Sequence, residues 1–237
     1  MGGAALGADV TDRPPAGAGG GLAPIVAGSL GVFGGTFDPV HLAHLAVAQE
    51  AAETLGLECV VFVPAGQPPH KPGQQITPAE HRLAMLELAI AGNDRFGVDR
   101  LELERAGPSY TVDTLEALWA ARSGADARAE LTLILAADAF LGLMAWREPR
   151  RILELARVVV APRDGYPEAG PGFLAEHLPD LADRATFLDG PRLRLSASEL
   201  RARAAAGRSL RYLVPDAVAA YIGDHGLYQQ PRRNLRT

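Results

Sequence analysis

The alternation of short apolar runs with longer amphipathic stretches is the feature that most constrains the fold of this chain. It begins near Ser29 and continues into the last third of the sequence. Such alternation is typical of a parallel sheet whose strands are joined by crossover helices, so the sequence predicts an α/β fold. The predicted strands cover residues 30–33, 59–63, 96–103, 131–135, 158–161 and 185–188.

Signals for helix boundaries lie in several of the gaps between these strands. In the clearest one Thr77 can cap a helix, Pro78 fits its first turn and Glu80 completes a capping box. The predicted helices cover residues 45–55, 77–92, 111–123, 196–207 and 215–226. In an open sheet of this type a ligand binds at the carboxyl ends of the strands, near the point where the strand order reverses.

Composition divides the chain into three segments. Residues 1–28 are mostly Gly, Ala and Pro and hold too few large apolar side chains to offset the entropy of ordering. They are therefore predicted to be a disordered tail. Residues 29–192 form the predicted core, and residues 193–237 follow the last predicted strand as a small C-terminal helical subdomain.

Charge and cysteine content exclude several classes of function. The formal net charge is −5, so no basic surface field that would hold nucleic acid is expected. No apolar run reaches the length that spans a membrane, which argues against a membrane partner. The single cysteine, Cys59, cannot form an internal disulfide, and its apolar surroundings predict a buried thiol. These features favour a cytoplasmic protein.

The segment 34–44, GGTFDPVHLAH, directly follows the first predicted strand and leads into a helix. Gly34 and Gly35 let the backbone approach a phosphate, Thr36 offers a hydroxyl, and the free N–H groups of the helix point back at the loop. His41 and His44 are three residues apart, so both rings are expected on one side of the helix. The sequence therefore predicts an anion site with two imidazole donors.

This segment resembles the GTFDxxHxGH signature of the nucleotidyltransferase superfamily, with Ala43 at the usual glycine. Later segments resemble one branch of it, the bacterial nicotinate-nucleotide adenylyltransferases: VPAGQPPHK at 63–71, HRLAM at 81–85, GPSYTVDT at 107–114, AD at 137–138 with Trp146, LSASELR at 195–201 and YLVP at 212–215. The segment RDG at 163–165 departs from the RPG that is common in this family, with Asp164 at the proline. The resemblance implies a Rossmann-like parallel sheet with helices on both faces. It also implies transfer of AMP from ATP to nicotinate mononucleotide, with release of pyrophosphate.

The resemblance further implies roles for individual residues. The expected catalytic residues are His41, His44 and Lys71. The expected ATP-binding residues are Gly34, Gly35, Thr36, Phe37, His41, His44, Asp138, Ser196 and Arg201. The expected residues for nicotinate mononucleotide are Lys71, Tyr110, Thr111, Trp146 and Arg163. Mg²⁺ is expected to arrive with ATP, because the sequence shows no ligand spacing typical of a metal held by the protein.

Several of these residues also have ordinary structural explanations. Lys71 is the only lysine, yet it would also suit a solvated loop. Ser196 would serve as an N-cap alone, and Tyr110 and Trp146 would suit core packing. Asp38 would either orient the neighbouring histidine or only shape the turn.

Two other functions stay open at this point. A sister nucleotidyltransferase would act on another phosphate, such as phosphopantetheine or glycerol 3-phosphate, although segments 68–71 and 109–114 argue against it. A non-catalytic nucleotide-binding sensor would be favoured if Ala43, Ala136 and Ala197, which replace usual Gly or Ser residues, had degraded the ATP site. The resemblance favours nicotinate over nicotinamide mononucleotide as the partner of ATP, and an oligomer is compatible with the sequence.

Overall fold

The computed structural model describes residues 28–68, 75–122, 130–167 and 170–229. The strands in these ranges are β1 (Leu30–Gly35), β2 (Cys59–Pro64), β3 (Phe96–Val98), β4 (Leu131–Ala136), β5 (Ala156–Ala161) and β6 (Ala185–Phe187). They form one sheet in the order β3-β2-β1-β4-β5-β6, and every neighbouring pair is parallel. The predicted α/β fold is confirmed. The predicted disordered tail lies, apart from Gly28, outside the described residues.

Helices occupy the connections between the strands and the end of the described chain. They are α1 (Leu42–Thr54), α2 (Ala79–Ile90), α3 (Leu101–Glu104), α4 (Thr111–Arg122), α5 (Ala137–Leu141), α6 (Pro149–Leu155), α7 (Gly172–His177), α8 (Ala197–Ala205) and α9 (Asp216–Asp224). The helices α3, α5, α6 and α7 were not predicted, because each is too short for a helical period to show in the sequence. Within the described ranges, no helix combines the length and apolar character that crossing a membrane requires.

The alternation of side chains along the strands divides the core between the two faces of the sheet. On one face Val32 packs in a cluster with Leu115 of α4 and other residues of α5 and α6. On the opposite face Phe33 belongs to a second cluster that includes Met85 of α2 and Leu200 of α8. Helices α8 and α9 thus contribute to the core of the main sheet, and the division of the chain at residue 193 stays a prediction.

The strand order reverses at β1, which pairs with β2 on one side and with β4 on the other. The chain leaves β1 towards β2 and leaves β4 towards β5, so the carboxyl ends of β1 and β4 flank a crevice. The segment 34–44 extends from the end of β1, and α5 begins directly after β4. Two of the segments expected to bind substrate therefore lie beside this crevice.

The predicted strand at 96–103 is wrong beyond Val98, where β3 ends and the chain turns into α3. Asp99 accounts for the change, because its Oδ1 accepts a hydrogen bond from the backbone N–H of Leu101 at 2.8 Å. An aspartate that bonds to the backbone two residues ahead favours a turn over an extended strand. The helix that follows buries Glu102.

Two expectations about single side chains are also corrected. Thr77 does not cap α2, which has Pro78 as its N-cap and no side-chain cap bond. The backbone N–H of Thr77 instead donates to Asp38 Oδ2 at 3.1 Å. Cys59, at the start of β2, is half-buried where full burial was expected, and this partial burial raises the pKa of its thiol.

Candidate active site

A cavity of about 270 Å³ opens beside the carboxyl ends of β1, β4 and β5. Four of the residues expected at the substrates line it together: His41, His44, Arg163 and Ser196. They come from two connections of the sheet and from the segment after β6, so the fold assembles this wall from distant parts of the chain. The remaining polar lining residues are Asp164, Tyr166, Arg194 and Glu199, and an apolar side is formed by residues such as Phe33, Val47, Leu193 and Leu195.

His41 and His44 form a stacked pair at the start of α1. Their ring centroids are 3.7 Å apart and their planes differ by 16°. The backbone N–H of His41 donates to Nδ1 of His44 at 3.2 Å. Because Nδ1 of His44 accepts this bond, the neutral ring carries its proton on Nε2. The pair thus faces one side of the helix, as its spacing predicts.

Burial lowers the pKa of both imidazoles. His41 is 5% exposed, and burial together with the positive charge of Arg163 lowers its pKa from 6.5 to about 4. Burial, His41 and Arg163 lower the pKa of His44 well below its ordinary value. At pH 7 each ring is therefore neutral in this structure and carries one N–H donor.

Two buried side-chain atoms, Nδ1 of His41 and Oδ1 of Asp138, have no hydrogen-bond partner within the described part of the chain. The other carboxylate oxygen of Asp138, Oδ2, pairs with Nε of Arg163 at 3.2 Å. Buried polar atoms without partners are rare in native proteins and unfavourable, and a functional site is one of the places where they occur. Both atoms belong to residues at or next to the cavity wall.

The two glycines after β1 differ in their surroundings. A side chain at Gly34 would meet no atom within 4 Å, so the backbone there is open to close approach by a ligand. At Gly35 an added Cβ would lie 2.9 Å from the ring of Phe37. Phe37 is 2% exposed and packs edge-on against His44, with centroids 5.1 Å apart. Phe37 therefore supports the histidine from behind, and the cavity wall does not include residues 34–37.

A set of hydrogen bonds holds the turn that carries the histidines, and we name Thr36, Asp38, Thr77, Arg82 and Tyr228 the turn-holding cluster. Arg82 is 2% exposed and donates to the carbonyls of Thr36 and Thr77, each at 2.9 Å. Asp38 accepts on Oδ2 from the N–H of Thr77 at 3.1 Å and on Oδ1 from the Tyr228 hydroxyl at 2.7 Å. Three of these bonds hold the backbone of Thr36 or Thr77. The fourth, from Tyr228, holds the carboxylate of Asp38 in place.

The turn-holding cluster corrects one expectation and adds residues that sequence reasoning missed. Both carboxylate oxygens of Asp38 bond to other partners, so Asp38 shapes the turn and does not orient His41. Arg82 gave one signal in the sequence, because it belongs to the segment HRLAM at 81–85 that resembles the family. Tyr228 gave none, since its partner lies 190 residues earlier in the chain.

Ser196 and Arg201 were both expected to bind ATP. Ser196 is the N-cap of this helix, lines the cavity and makes no side-chain cap bond. Arg201 lies elsewhere: its Nη1 donates to the carbonyl of Asp38 at 2.6 Å, and its Nη2 to Oγ of Ser198 at 3.3 Å. The structure thus brings Ser196 to the histidine pair, whereas Arg201 adds a further bond to the histidine-bearing turn.

Tyr110, Thr111 and Trp146 lie in a different region from the 270 Å³ cavity. Tyr110 and Trp146 are both half-buried and pack against the same core cluster, and Thr111 is the first residue of α4. The guanidinium of Arg147 lies 5.0 Å from the centroid of the Tyr110 ring and pairs with Asp113 at 3.4 Å. This contact joins the two aromatic segments. Sequence reasoning did not identify Arg147.

A second network, which we name the loop-joining cluster, consists of Gly66, Gln67, Glu102, Ser109 and Thr114. Oγ of Ser109 accepts from the N–H groups of Gly66 at 3.1 Å and Gln67 at 3.3 Å. Glu102 accepts from the hydroxyl of Thr114 at 2.6 Å, and burial raises the pKa of this carboxyl group. A Cβ at Gly66 would lie 2.2 Å from the carbonyl oxygen of Glu102, so only glycine fits there. Lys71, five residues after Gly66 in the sequence, lies outside the described residues.

Comparisons with known proteins agree with this geometry. A family model described as cytidylyltransferase-like matches residues 32–203. A Roseiflexus protein named "Probable nicotinate-nucleotide adenylyltransferase" is 49% identical over 200 residues, covering 84% of this chain and 98% of that protein. A Thermomicrobium roseum protein of the same name is 46% identical over 200 residues, covering 84% of this chain and 91% of its own.

A solved structure supports the fold at greater evolutionary distance. It is titled as Plasmodium falciparum nicotinic acid mononucleotide adenylyltransferase complexed with NaAD, and aligns with a TM-score of 0.70 at 16% sequence identity. The alignment covers 84% of this chain and 97% of that chain. At this identity the likeness establishes the Rossmann-like fold, and the close sequence relatives carry the assignment to a family.

Proposed function

Because this chain belongs to the nicotinate-nucleotide adenylyltransferase family, within the cytidylyltransferase-like proteins, we propose that it joins the AMP part of ATP to nicotinate mononucleotide. The products are nicotinate adenine dinucleotide and pyrophosphate, in a step of NAD biosynthesis. The observation that carries this proposal is the buried, neutral and stacked pair His41 and His44 on a cavity at the switch point of the sheet.

The reaction requires an in-line displacement at the α-phosphorus of ATP. An oxygen of the mononucleotide phosphate forms the new bond to that phosphorus, while the bond from the α-phosphorus to the oxygen bridging the α- and β-phosphates breaks. The electron pair of the broken bond leaves with pyrophosphate. No nucleophilic side chain and no covalent intermediate is needed, so the protein contributes positioning and stabilisation of charge.

His41 and His44 would supply that stabilisation as donors to the α- and β-phosphates. Their rings are already desolvated and packed against each other and Phe37, so little reorganisation is needed when charge develops. Gly34 would let its backbone approach the phosphates, and Ser196, which lines the same cavity, would donate its hydroxyl. Asp138, with one unpaired oxygen, would accept from a ribose hydroxyl of the nucleotide.

The mononucleotide would lie towards Arg163, with its pyridine ring near Tyr110 and Trp146. Arg163 supplies a positive charge on the cavity wall, and Thr111 offers a hydroxyl at the start of α4. Lys71 is proposed as a further contact to phosphate. We propose nicotinate over nicotinamide as the preferred ring, in line with the names of the relatives, because a site built for specific hydrogen bonds can discriminate a carboxylate from an amide.

Mg²⁺ is proposed to enter with ATP. Across the described residues, no group of three or more His, Cys, Asp and Glu side chains is placed to hold a metal ion. The carboxylates of Asp164 and Glu199 line the cavity, and oxygen ligands of this kind suit Mg²⁺ that keeps waters and phosphate oxygens as its other ligands. When bound, the ion would neutralise charge on the leaving pyrophosphate. We also propose a cytoplasmic location, where ATP and mononucleotides are available.

The test is pyrophosphate release from Mg-ATP by the purified protein. Nicotinate mononucleotide, nicotinamide mononucleotide, phosphopantetheine and glycerol 3-phosphate would be offered separately, and the dinucleotide product identified by mass. We expect release with the two pyridine mononucleotides, faster with the acid.

Release only with phosphopantetheine or glycerol 3-phosphate would overturn the acceptor and keep the histidine mechanism. Tight ATP binding without release from any acceptor would overturn catalysis itself. Equal rates with the acid and the amide would remove only the proposed preference for nicotinate.

A further inference from the structure

We propose that Glu102 is a positioning residue for the binding of nicotinate mononucleotide, because it holds the loop after β2 against the start of α4. This inference rests on the proposed function, since it concerns the mononucleotide site of that reaction. Glu102 lies in the short helix α3 and is 7% exposed. It does not line the 270 Å³ cavity, and the sequence pattern gave it no role.

The hydroxyl of Ser109 shows what the carboxylate of Glu102 does. Oγ of Ser109 accepts from the N–H groups of Gly66 and Gln67, and the N–H of Ser109 donates back to the carbonyl of Gln67 at 2.9 Å. A hydroxyl has two acceptor positions and one proton, so with both positions in use the proton points to a third group. That group is Glu102, whose carboxylate accepts a hydrogen bond from Ser109. Glu102 thus orients the hydroxyl that holds the loop.

The same carboxylate also holds the start of α4. Oε1 of Glu102 accepts from the hydroxyl of Thr114 at 2.6 Å, and the N–H of Thr114 donates to the carbonyl of Tyr110 at 3.2 Å. Ser109 and Thr114 therefore stand on either side of Tyr110 and Thr111 in the chain. These two enclosed residues are the ones that we place at the mononucleotide. One carboxylate fixes the backbone before and after them.

The burial of this carboxyl group has a cost that packing alone does not explain. Burial is the largest influence on its pKa and raises it, while the hydrogen bonds from Thr114 and Ser109 and the charge of Arg105 lower it. An apolar side chain would fill the same volume without removing a charge from water. The loop also packs directly on α3, since a Cβ at Gly66 would lie 2.2 Å from the carbonyl oxygen of Glu102. A buried acid that joins two substrate-binding segments is expected at a functional site.

The isosteric change Glu102→Gln tests the proposal. The amide keeps one oxygen but presents an NH₂ group, a donor, to one of two hydroxyls that also donate. Ser109→Ala removes the acceptor of the two loop N–H groups and is the second variant. Glu104→Gln is the matched control, because Glu104 is an exposed glutamate of the same helix. All variants are made in the full chain.

Hydrogen exchange without any ligand measures how firmly the loop is held. We expect the amides of Gly66 and Gln67 to exchange about tenfold faster in Glu102→Gln and in Ser109→Ala than in the wild type. Glu104→Gln should exchange like the wild type. Wild-type exchange at both amides in Glu102→Gln would overturn the proposal, and this result does not depend on the proposed reaction.

Calorimetry with nicotinate mononucleotide and with ATP, together with steady-state kinetics, measures the consequence for binding. We expect Glu102→Gln and Ser109→Ala each to weaken mononucleotide binding about tenfold and to raise its KM, the effect of one lost buried hydrogen bond. ATP binding and kcat should stay within about twofold of the wild type. The double variant should bind the mononucleotide no more weakly than either single variant, because both changes remove the same link.

Two results would show a merely structural effect and overturn the proposal. One is an equal loss of affinity for ATP and for the mononucleotide, and the other is a double variant whose loss is the sum of the two single losses. By contrast, a wild type that binds nicotinate mononucleotide but releases no pyrophosphate would contradict only the proposed reaction.

Discussion

The cavity wall and the turn-holding cluster lie a few residues apart, yet they treat their polar groups in opposite ways. On and beside the wall, Nδ1 of His41 and Oδ1 of Asp138 are buried without partners. In the cluster, the guanidinium of Arg82 and the carboxylate of Asp38 each bond to two groups. The difference shows that the turn-holding cluster stabilises the turn, so the polar atoms at the cavity are not needed for stability and remain available to a ligand.

The comparison predicts that changes on the wall lower turnover and that changes in the cluster lower stability. The largest effect is expected from His44→Ala, which should reduce turnover by about two to three orders of magnitude, because one preorganised donor to the phosphates is lost. Pyrophosphate release is the assay, and His177→Ala, a change at an exposed histidine that does not line the cavity, is the control. A folded His44→Ala protein with near-normal turnover would remove this histidine from the mechanism.

Arg82→Leu should lower the free energy of unfolding by about 3 kcal/mol, because the carbonyls of Thr36 and Thr77 lose buried donors. Urea denaturation measures the loss. Arg82→Lys retains the charge but fewer donors and should give an intermediate value. An Arg82→Leu protein that is as stable as the wild type but inactive would contradict the prediction that changes in the cluster act on stability.

The pKa of His41 makes stability depend on pH in a defined window. Its pKa is lowered from 6.5 in the unfolded chain to about 4 in the folded protein, so between these values the unfolded state binds more protons. Stability should therefore fall as the pH drops from 6.5 towards 4, by up to about 3 kcal/mol from this group. Urea titrations at several pH values measure the fall, and His41→Gln should show a smaller one. Parallel curves for the two proteins would contradict the assignment.

Tyr228→Phe should have the smallest effect, a loss of about 1 kcal/mol, since it removes one hydrogen bond to Asp38 and keeps the ring. Turnover should stay close to that of the wild type. The measurement is a thermal melt beside the pyrophosphate assay. A large loss of turnover without a loss of stability would assign Tyr228 to catalysis. It would also contradict the prediction that changes in the cluster lower stability and leave turnover unchanged.

Much of the fold was predictable because its signals are local. Apolar runs with turns between them gave five of the six strands within two residues, and residues 96–103 failed because one turn-forming side chain, Asp99, outweighed the apolar pattern. Thr77 failed as a cap for a different reason. A capping box predicts a local bond, but the backbone of Thr77 is bonded to Asp38 and Arg82 instead.

The sequence by itself determined the alternating architecture and the two histidines on one side of a helix, since both follow from the period of a strand or a helix over a few residues. Only the tertiary structure decided which other groups meet them. Arg201 reaches the carbonyl of Asp38 across 163 residues and Tyr228 its carboxylate across 190. Such contacts depend on strand order and on how two elements pack, which no short segment specifies. The lowered pKa of His41 belongs with them, because burial by distant parts of the chain is its largest cause.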